Sequence, residues 1–93
     1  MNTNYYLHSP DFPESMHIGG TWMLADGYEW TTDASDGRRW TDTATLRDYL
    51  WSLRSEGRAW VADEYGVTYT PGEMISEIIV PAAQAKESDH EFS

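Results

Sequence analysis

The sequence contains no cysteine and no long apolar run, and each absence excludes a class of protein. Without cysteine there are no disulfides and no thiolate chemistry. No apolar stretch reaches the ~18–20 residues that a membrane-spanning helix needs. The first ten residues, MNTNYYLHSP, lack the basic region and the apolar core of a signal peptide. We therefore expect a cytoplasmic protein that does not enter a membrane.

Basic residues are also scarce, since six Lys and Arg stand against sixteen Asp and Glu and the formal net charge is −10. This charge opposes direct binding to nucleic acid or anionic lipid and favours a cationic partner. It also serves solubility, and composition alone does not choose between the two roles. The distribution is uneven: residues 1–37 hold six acids and no base, residues 38–58 hold five arginines, and residues 59–93 hold seven acids and one lysine.

The length of 93 residues allows one domain. A chain of this size hides only about 60–65% of the surface that its unfolded form exposes, so little interior remains for a buried site. Five Trp, six Tyr and two Phe supply large apolar side chains for a core. We assign residues 1–85 to a single domain and residues 86–93 to a polar, flexible tail.

The first half of the chain predicts strands. YYLH (5–8) is a possible short strand at a sheet edge. Residues 21–32 predict a hairpin in which Asp26-Gly27 forms the turn, because Asp-Gly suits the positive φ angles of a type I′ turn. The alternation places Trp22 and Leu24 on one face. Gly19 and Gly20 would allow the bend that leads into this hairpin.

The second half predicts two helices around another hairpin. Residues 40–57 predict a helix with Leu46, Tyr49 or Leu50, and Leu53 toward the core, a cap at Thr41, Asp42 or Thr43, and Gly57 past the end. Residues 58–70 predict a hairpin with Gly66 in its loop. Residues 71–79 predict a short helix, with Thr70, Pro71 and Glu73 matching a capping box. Antiparallel hairpins with helices on one face make an α+β domain.

No constellation of residues indicates catalysis. The three histidines, His8, His17 and His90, fall in a predicted edge strand, a loop and the tail, without the spacing of a metal site. There is no nucleophile elbow and no phosphate-binding glycine loop. Carboxylate pairs such as Asp33 with Asp36 could perform acid–base chemistry or bind a hard cation, but the ligand ladder of a calcium loop is missing. We expect a protein that is not an enzyme and has no metal or cofactor.

The acids near predicted turns form the candidate binding site. Carboxylates held in fixed positions can substitute for a phosphate backbone and compete for a cationic groove, whereas the alternative is a solvated acidic surface. Glu73 and Glu77 share one helix face, and Trp30 and Tyr65 are candidate interface anchors beside acidic turns. The candidate partner-binding residues are Asp26, Glu29, Trp30, Asp33, Asp36, Asp63, Glu64, Tyr65, Glu73 and Glu77.

The segment SDGRRWTD (35–42) contains the first basic residues of the chain, Arg38 and Arg39. One interpretation is internal: the arginines pair with nearby carboxylates and limit repulsion among acids that folding brings together. The other is that one of them contacts an acidic residue of a partner. The two differ in whether the guanidinium groups point toward the protein's own acids.

The size, the charge, the hairpin-and-helix plan and the acidic stretches DGYEWTTDASDG (26–37) and VADEYG (61–66) resemble the small, acidic, cysteine-free inhibitors encoded by phages and mobile elements, above all anti-CRISPR proteins. The resemblance implies a stoichiometric inhibitor of a host CRISPR effector. It would bind a cationic protein or ribonucleoprotein surface where DNA or guide RNA is held. It implies no nucleic-acid ligand, and a monomer or small homo-oligomer.

Two other interpretations share this composition. An immunity protein or antitoxin that neutralises a cationic toxin nuclease would use the same electrostatics. A structural or assembly subunit of a virus would need no basic partner. Neighbouring genes would separate the antitoxin from the anti-CRISPR protein, because a toxin gene favours the antitoxin and phage genes favour the anti-CRISPR protein.

Overall fold

The chain folds around a five-stranded antiparallel sheet with the strand order β3-β2-β1-β4-β5. The computed structural model describes residues 2–25, 27–54 and 57–81. The predicted domain end at residue 85 and the predicted tail at 86–93 lie outside the described residues. The elements are β1 (Asn2–His8), β2 (Met16–Leu24), β3 (Gly27–Thr32), α1 (Thr43–Arg54), β4 (Trp60–Asp63), β5 (Thr68–Tyr69) and α2 (Pro71–Glu73), which continues as a π-helical segment (Met74–Ile79).

Strand β1 lies in the centre of the sheet, whereas the sequence predicted a short edge strand. It pairs with β2 on one side and with β4 on the other, so that Leu7 lies opposite both Met16 and Val61. The prediction failed because a central strand that is buried on only one face alternates apolar and polar side chains just as an edge strand does. Tyr5 and Leu7 point into the core, and His8 lies in this central strand.

The hairpin of β2 and β3 is present, but its turn differs by one residue from the prediction. Leu24 pairs with Gly27, so Gly27 already belongs to β3, and Asp26 lies outside the described residues. The predicted alternation is correct: Trp22 lies opposite Glu29, and Tyr28 and Trp30 occupy the other face. Met23 and Leu24, near the tip of this hairpin, have no partner in the described part of β1 and are exposed.

A bulge interrupts the pairing of β1 with β2, where the sequence predicted a bend before the hairpin. The register shifts between Tyr5 and Tyr6, which leaves Ile18 as the extra residue of β2. Gly19 has a φ of +147°, and a Cβ built there would lie 2.3 Å from the carbonyl oxygen of Thr31. Only glycine combines this φ with so close an approach of the neighbouring strand.

Helix α1 begins at a side-chain cap formed by Asp42, one of the three predicted caps. The Asp42 carboxylate accepts a hydrogen bond from the Thr45 backbone N–H at 2.8 Å, and the Thr45 hydroxyl accepts from the Asp42 N–H at 3.0 Å. These bonds satisfy donors that would otherwise lack partners at the helix start. They also lower the pKa of Asp42, chiefly through the Thr45 N–H. Gly57, beyond the helix, has a φ of +66°, as predicted for a residue past the end.

The second hairpin and the capping box of α2 follow the sequence prediction. Gly66 has a φ of +89° in the loop between β4 and β5. The Thr70 hydroxyl accepts from the Glu73 N–H at 3.1 Å, and the Glu73 carboxylate accepts from the Thr70 N–H at 2.9 Å. The following turn is π-helical, so Met74 and Ile79, five positions apart, lie on the same side and are both fully buried.

One core joins the helices to one face of the sheet, which makes the domain α+β, as predicted. Trp40 lies in this core and donates from its indole Nε1 to the Asp33 carbonyl oxygen at 2.7 Å. No helix among the described residues is long and apolar enough to cross a bilayer. The buried side chains are Tyr5, Leu7, Ile18, Trp40, Leu46, Leu50, Leu53, Ala59, Val61, Met74, Ile75 and Ile79.

Candidate functional site

The face of the sheet opposite the helices contains no buried residue and is called the open face below. Paired residues in an antiparallel sheet share a face, so the register assigns its members. In the described strands they are Asn2, Asn4, Tyr6, His8, His17, Gly20, Trp22, Leu24, Gly27, Glu29, Thr31, Trp60, Ala62 and Thr68.

A depression occupies the centre of three rows on the open face. Asn2, Trp22 and Glu29 form the first row, Asn4, Gly20 and Thr31 form the second, and Tyr6 and His17 begin the third. Because the central residue is glycine, no side chain fills the middle. The resulting space has a volume of about 240 Å³ and is called the Gly20 depression; the residues around it include Asn2, Asn4, His17, Trp22, Thr31 and Asp33.

The glycine at position 20 is required by the packing of the strands. A Cβ at this position would lie 2.7 Å from the carbonyl oxygen of Thr3 and 3.5 Å from Oδ1 of Asn4. The first distance is shorter than a van der Waals contact, so β1 and β2 approach more closely here than alanine would allow. The same absence of a side chain that permits this approach leaves the depression open.

His17 lies in strand β2, half-buried, whereas the sequence predicted an exposed loop residue. Its Nδ1 lies 2.8 Å from Oδ2 of Asp33, and its Nε2 lies 3.0 Å from Oδ1 of Asn4. The ring also contacts that of Tyr6, with centroids 5.3 Å apart. The imidazole is therefore fixed in a wall between the Gly20 depression and a second, broader depression of about 530 Å³ beside Tyr6 and Phe12.

Asp33 joins the sheet to the loop that leads to α1. Its carboxylate accepts hydrogen bonds from the Ser35 hydroxyl and N–H and from His17, and it forms an ion pair with Arg38 at 3.3 Å. Its own N–H donates to the Ile18 carbonyl oxygen at 3.0 Å. The hydrogen bonds from Ser35 and His17, with the Arg38 charge, hold the pKa of Asp33 well below its usual range.

The two adjacent arginines have different surroundings. Arg38 is half-buried, pairs with Asp33 and lies over the Trp40 ring at 5.9 Å. Its Nε is the only buried side-chain polar atom without a hydrogen-bond partner among residues 2–25, 27–54 and 57–81. Arg39 is exposed and lies over the Tyr49 ring at 5.8 Å. The Arg38 guanidinium thus points toward Asp33, an acid of the protein itself, as the internal interpretation expects of at least one of the two arginines.

Three other candidate acids also make hydrogen bonds within the fold. Asp63 Oδ1 accepts from the backbone N–H groups of Tyr65 and Val67, each at 2.9 Å, and so shapes the β4–β5 loop. Glu64 accepts from the Asn4 N–H at 3.1 Å. Glu73 belongs to the capping box. The sequence predicted the role of Glu73 in the capping box, but it placed Asp63 and Glu64 only near a turn and did not reveal their hydrogen bonds.

The remaining candidates differ in exposure. Asp36, Glu77 and Tyr65 are exposed, and the Tyr65 side chain is 67% accessible. Trp30 is half-buried and packs on Tyr5 with ring centroids 5.6 Å apart, so most of its indole belongs to the fold. Glu29 lies on the open face opposite Trp22.

In the part of the chain that the structure describes, the arginines lie outside the sheet. None of the five strands contains Lys or Arg, and all five arginines lie in α1 or in the loops directly before and after it. Within the described ranges, no three His, Asp or Glu residues are grouped so that they could hold a metal ion. The strands of the open face therefore present the Glu29 carboxylate, amides, two histidines and aromatic rings, without lysine or arginine.

No family model, no curated protein and no solved structure matches this chain. The site has to be judged from its own geometry. Sequence reasoning missed Asn4, His17, Gly20 and Trp22 as neighbours on one face. The two-residue period of β2 could have placed Gly20 and Trp22 on one face. His17 reaches the same face only through the bulge at Ile18, which no local pattern reports.

Proposed function

We propose that the chain is a non-enzymatic protein inhibitor of the anti-CRISPR type. It binds a host CRISPR effector complex and blocks the positively charged surface that holds DNA or guide RNA. The observation that carries the proposal is the charge asymmetry: the chain has a net charge of −10, and every described arginine lies in α1 or in the loops directly before and after it, whereas the strands contain no lysine or arginine.

The open face is the binding surface in this proposal, because it combines acids with unburied aromatic rings. Trp22 and Trp60 are 49% and 42% exposed, and Trp60 stacks on His8 with an interplanar angle of 6°. Exposed aromatic residues are frequent interface anchors. The strands fix the positions of Glu29 and of the acids next to their ends, Asp33 and Glu64. Such fixed carboxylates can occupy a groove that normally receives phosphates.

The exposed acids Asp36 and Glu77 lie outside the strands of the open face, with Glu77 on the helical side, so they contribute through the long-range field to the rate of encounter. Charges at the rim of an interface steer association and change its salt dependence more than its final affinity. By contrast, Asp33, Asp63 and Glu73 have structural roles, so their replacement would change the fold as well as the charge.

The test begins with affinity capture at low salt from the lysate of a CRISPR-bearing host, followed by mass spectrometry. The captured effector is then purified, and its binding to target DNA is measured with increasing amounts of the protein. We expect inhibition to saturate near one protein per effector. The Arg47→Gln variant is the matched control, because Arg47 lies on α1, away from the open face, and its removal should leave inhibition intact.

Two results would contradict the proposal. One is the capture of no nucleic-acid-handling protein at low salt and high bait concentration. The other is capture of an isolated toxin nuclease whose activity the protein abolishes, which would identify an antitoxin or immunity protein instead.

A further inference from the structure

We infer that the Gly20 depression receives the guanidinium group of an arginine side chain from a partner protein. This inference rests on the proposed function for the partner, but the depression can be tested without that partner. It commits the site to one ligand chemistry, a flat cation, and it is carried by the shape, the lining and the charge of the depression.

The shape suits one side chain rather than a larger ligand. The volume of about 240 Å³ is below the ~300–1,000 Å³ of pockets for drug-sized molecules. The floor is the backbone at Gly19 and Gly20, which the close approach of β1 and β3 keeps free of side chains. The floor is thus rigid and cannot be filled by a change of rotamer.

The lining offers an aromatic wall and hydrogen-bond acceptors. Trp22 is 49% exposed at the edge of the depression, so one part of its indole remains available to a ligand. A guanidinium is attracted to the face of an indole and also stacks on it. The amide oxygen of Asn2 and the hydroxyl of Thr31 can accept from its five N–H donors, and Asn4 Oδ1, which already lies 3.0 Å from His17 Nε2, has a second lone pair.

The charge around the depression is negative. No lysine or arginine lines it. Asp33 lies in the wall, Glu29 lies opposite Trp22, and Glu64 accepts from the backbone of Asn4. The oxygens of Asp33 already accept from Ser35, His17 and Arg38, so this residue supplies charge rather than a new hydrogen bond. Anionic ligands such as phosphate are therefore disfavoured, and a cation is favoured.

A guanidinium fits these features better than an ammonium. The ammonium of lysine is compact and strongly hydrated, and it cannot lie flat against a ring. The acceptors here lie on β1 and β3, on either side of the strand that carries Trp22, and a planar donor with several N–H groups can reach both strands. We expect ethylguanidinium to bind more tightly than butylammonium, and acetate not to bind.

The experiment titrates the full chain with ethylguanidinium, butylammonium and acetate, and follows the Gly20 backbone amide and the Trp22 indole N–H by two-dimensional NMR. We expect saturable shifts at both signals with ethylguanidinium. Trp22→Ala should weaken this binding by roughly three- to thirtyfold, the range of a partly desolvated cation–π contact. Thr31→Val should weaken it several-fold by removing an acceptor.

Matched controls separate the site from general effects. Trp51→Ala removes a tryptophan that is 56% exposed on α1, and Thr68→Val changes an exposed strand threonine outside the depression. Neither should alter the ethylguanidinium titration. Equal shifts with butylammonium, shifts spread over the whole surface, or no saturable shift at Gly20 and Trp22 would each overturn the inference.

A second arm distinguishes a protein-borne arginine from a free small molecule. A blocked tri-arginine peptide should bind more tightly than ethylguanidinium, and a blocked tri-lysine peptide should bind less tightly than tri-arginine. Tighter binding of ethylguanidinium than of tri-arginine would exclude a partner's side chain as the ligand. If ethylguanidinium does not bind but the captured effector is inhibited, the assignment of the Gly20 depression to an arginine is wrong and the proposed function stands. If ethylguanidinium binds but no effector is captured, the assignment of the depression stands and the proposed function is wrong.

Discussion

Asp33 shows how a residue predicted to contact a partner can instead be required by the fold. It lies at the end of β3, and its carboxylate connects His17 of β2 with Ser35 and Arg38 of the following loop. Its side chain is only 21% exposed. A carboxylate with this many donors stabilises the folded state only when it is ionised.

We predict that Asp33→Asn lowers the free energy of unfolding by about 1–3 kcal/mol at pH 7, the cost of weakening hydrogen bonds to a charged group. The folded pKa lies below the unfolded value of about 3.9, so the contribution is fully present above that value and is lost as the pH falls through the folded pKa. The difference in the free energy of unfolding between wild type and Asp33→Asn should therefore become smaller below about pH 4. Urea denaturation at pH 7 and pH 3 measures it.

The control for this prediction is Asp36→Asn, three residues further along the same loop. Asp36 is exposed, so its replacement should change stability by less than about 0.5 kcal/mol at either pH. A difference between Asp33→Asn and wild type that stays constant or widens in acid would contradict the assigned role of the Asp33 carboxylate.

Helices and caps that are determined by residues close together in the sequence were predicted well. The caps of both helices follow from Asp42, Thr70, Pro71 and Glu73, because capping is decided within one turn of the chain. The apolar spacing of α1 predicted its buried leucines for the same reason. The turn of the first hairpin was displaced by one residue, since its register depends on strand pairing as well as on the Asp-Gly signal.

Strand positions that are determined by pairing with residues far away in the sequence could not be predicted from local patterns. The central place of β1 requires β4, which lies far along the chain, and no local pattern reports that pairing. The same holds for the candidate site. Its acids are visible in the sequence, but the Gly20 depression exists only because Asn4, Gly20 and Thr31 lie side by side on three strands.

The capping box offers a test at the scale of one element. Thr70→Ala should destabilise the domain by about 0.5–2 kcal/mol, because the Glu73 N–H loses its acceptor at the start of α2. Glu73→Gln should have a much smaller effect, since glutamine also serves in capping boxes. Thermal unfolding followed by circular dichroism compares the two. A loss for Glu73→Gln as large as that for Thr70→Ala would mean that the charge of Glu73 stabilises the helix as much as the Thr70 cap does.

At the scale of the whole molecule, the decisive property is the separation of charge. The helical side carries arginines, among them Arg54, which stacks on Trp51 at 4.5 Å, and Arg58, which forms an exposed ion pair with Asp11 at 3.2 Å. Exposed pairs of this kind contribute little to stability. Their main effect is on the shape of the electric field, which is most negative where arginines are absent.

This field predicts a salt-dependent association with the captured effector. The association rate should fall by roughly tenfold or more between low and high ionic strength, because steering between opposite charges is screened. The double variant Asp36→Lys with Glu77→Lys should reduce both the rate and its salt dependence. Arg47→Gln, the matched change on α1, should not slow association. Stopped-flow measurements at several salt concentrations test this, and a rate independent of salt would contradict steering.

The central position of β1 also has a consequence for how the chain becomes folded. During synthesis β1, β2 and β3 can pair as soon as they are complete, whereas β4 emerges only after the whole of α1. Until then, the edge of β1 that will receive β4 stays unpaired, and the apolar side of Leu7 lacks Val61. Unpaired strand edges invite pairing with other chains. The half-made protein is therefore the stage most open to aggregation, and slower synthesis before β4 would lengthen it.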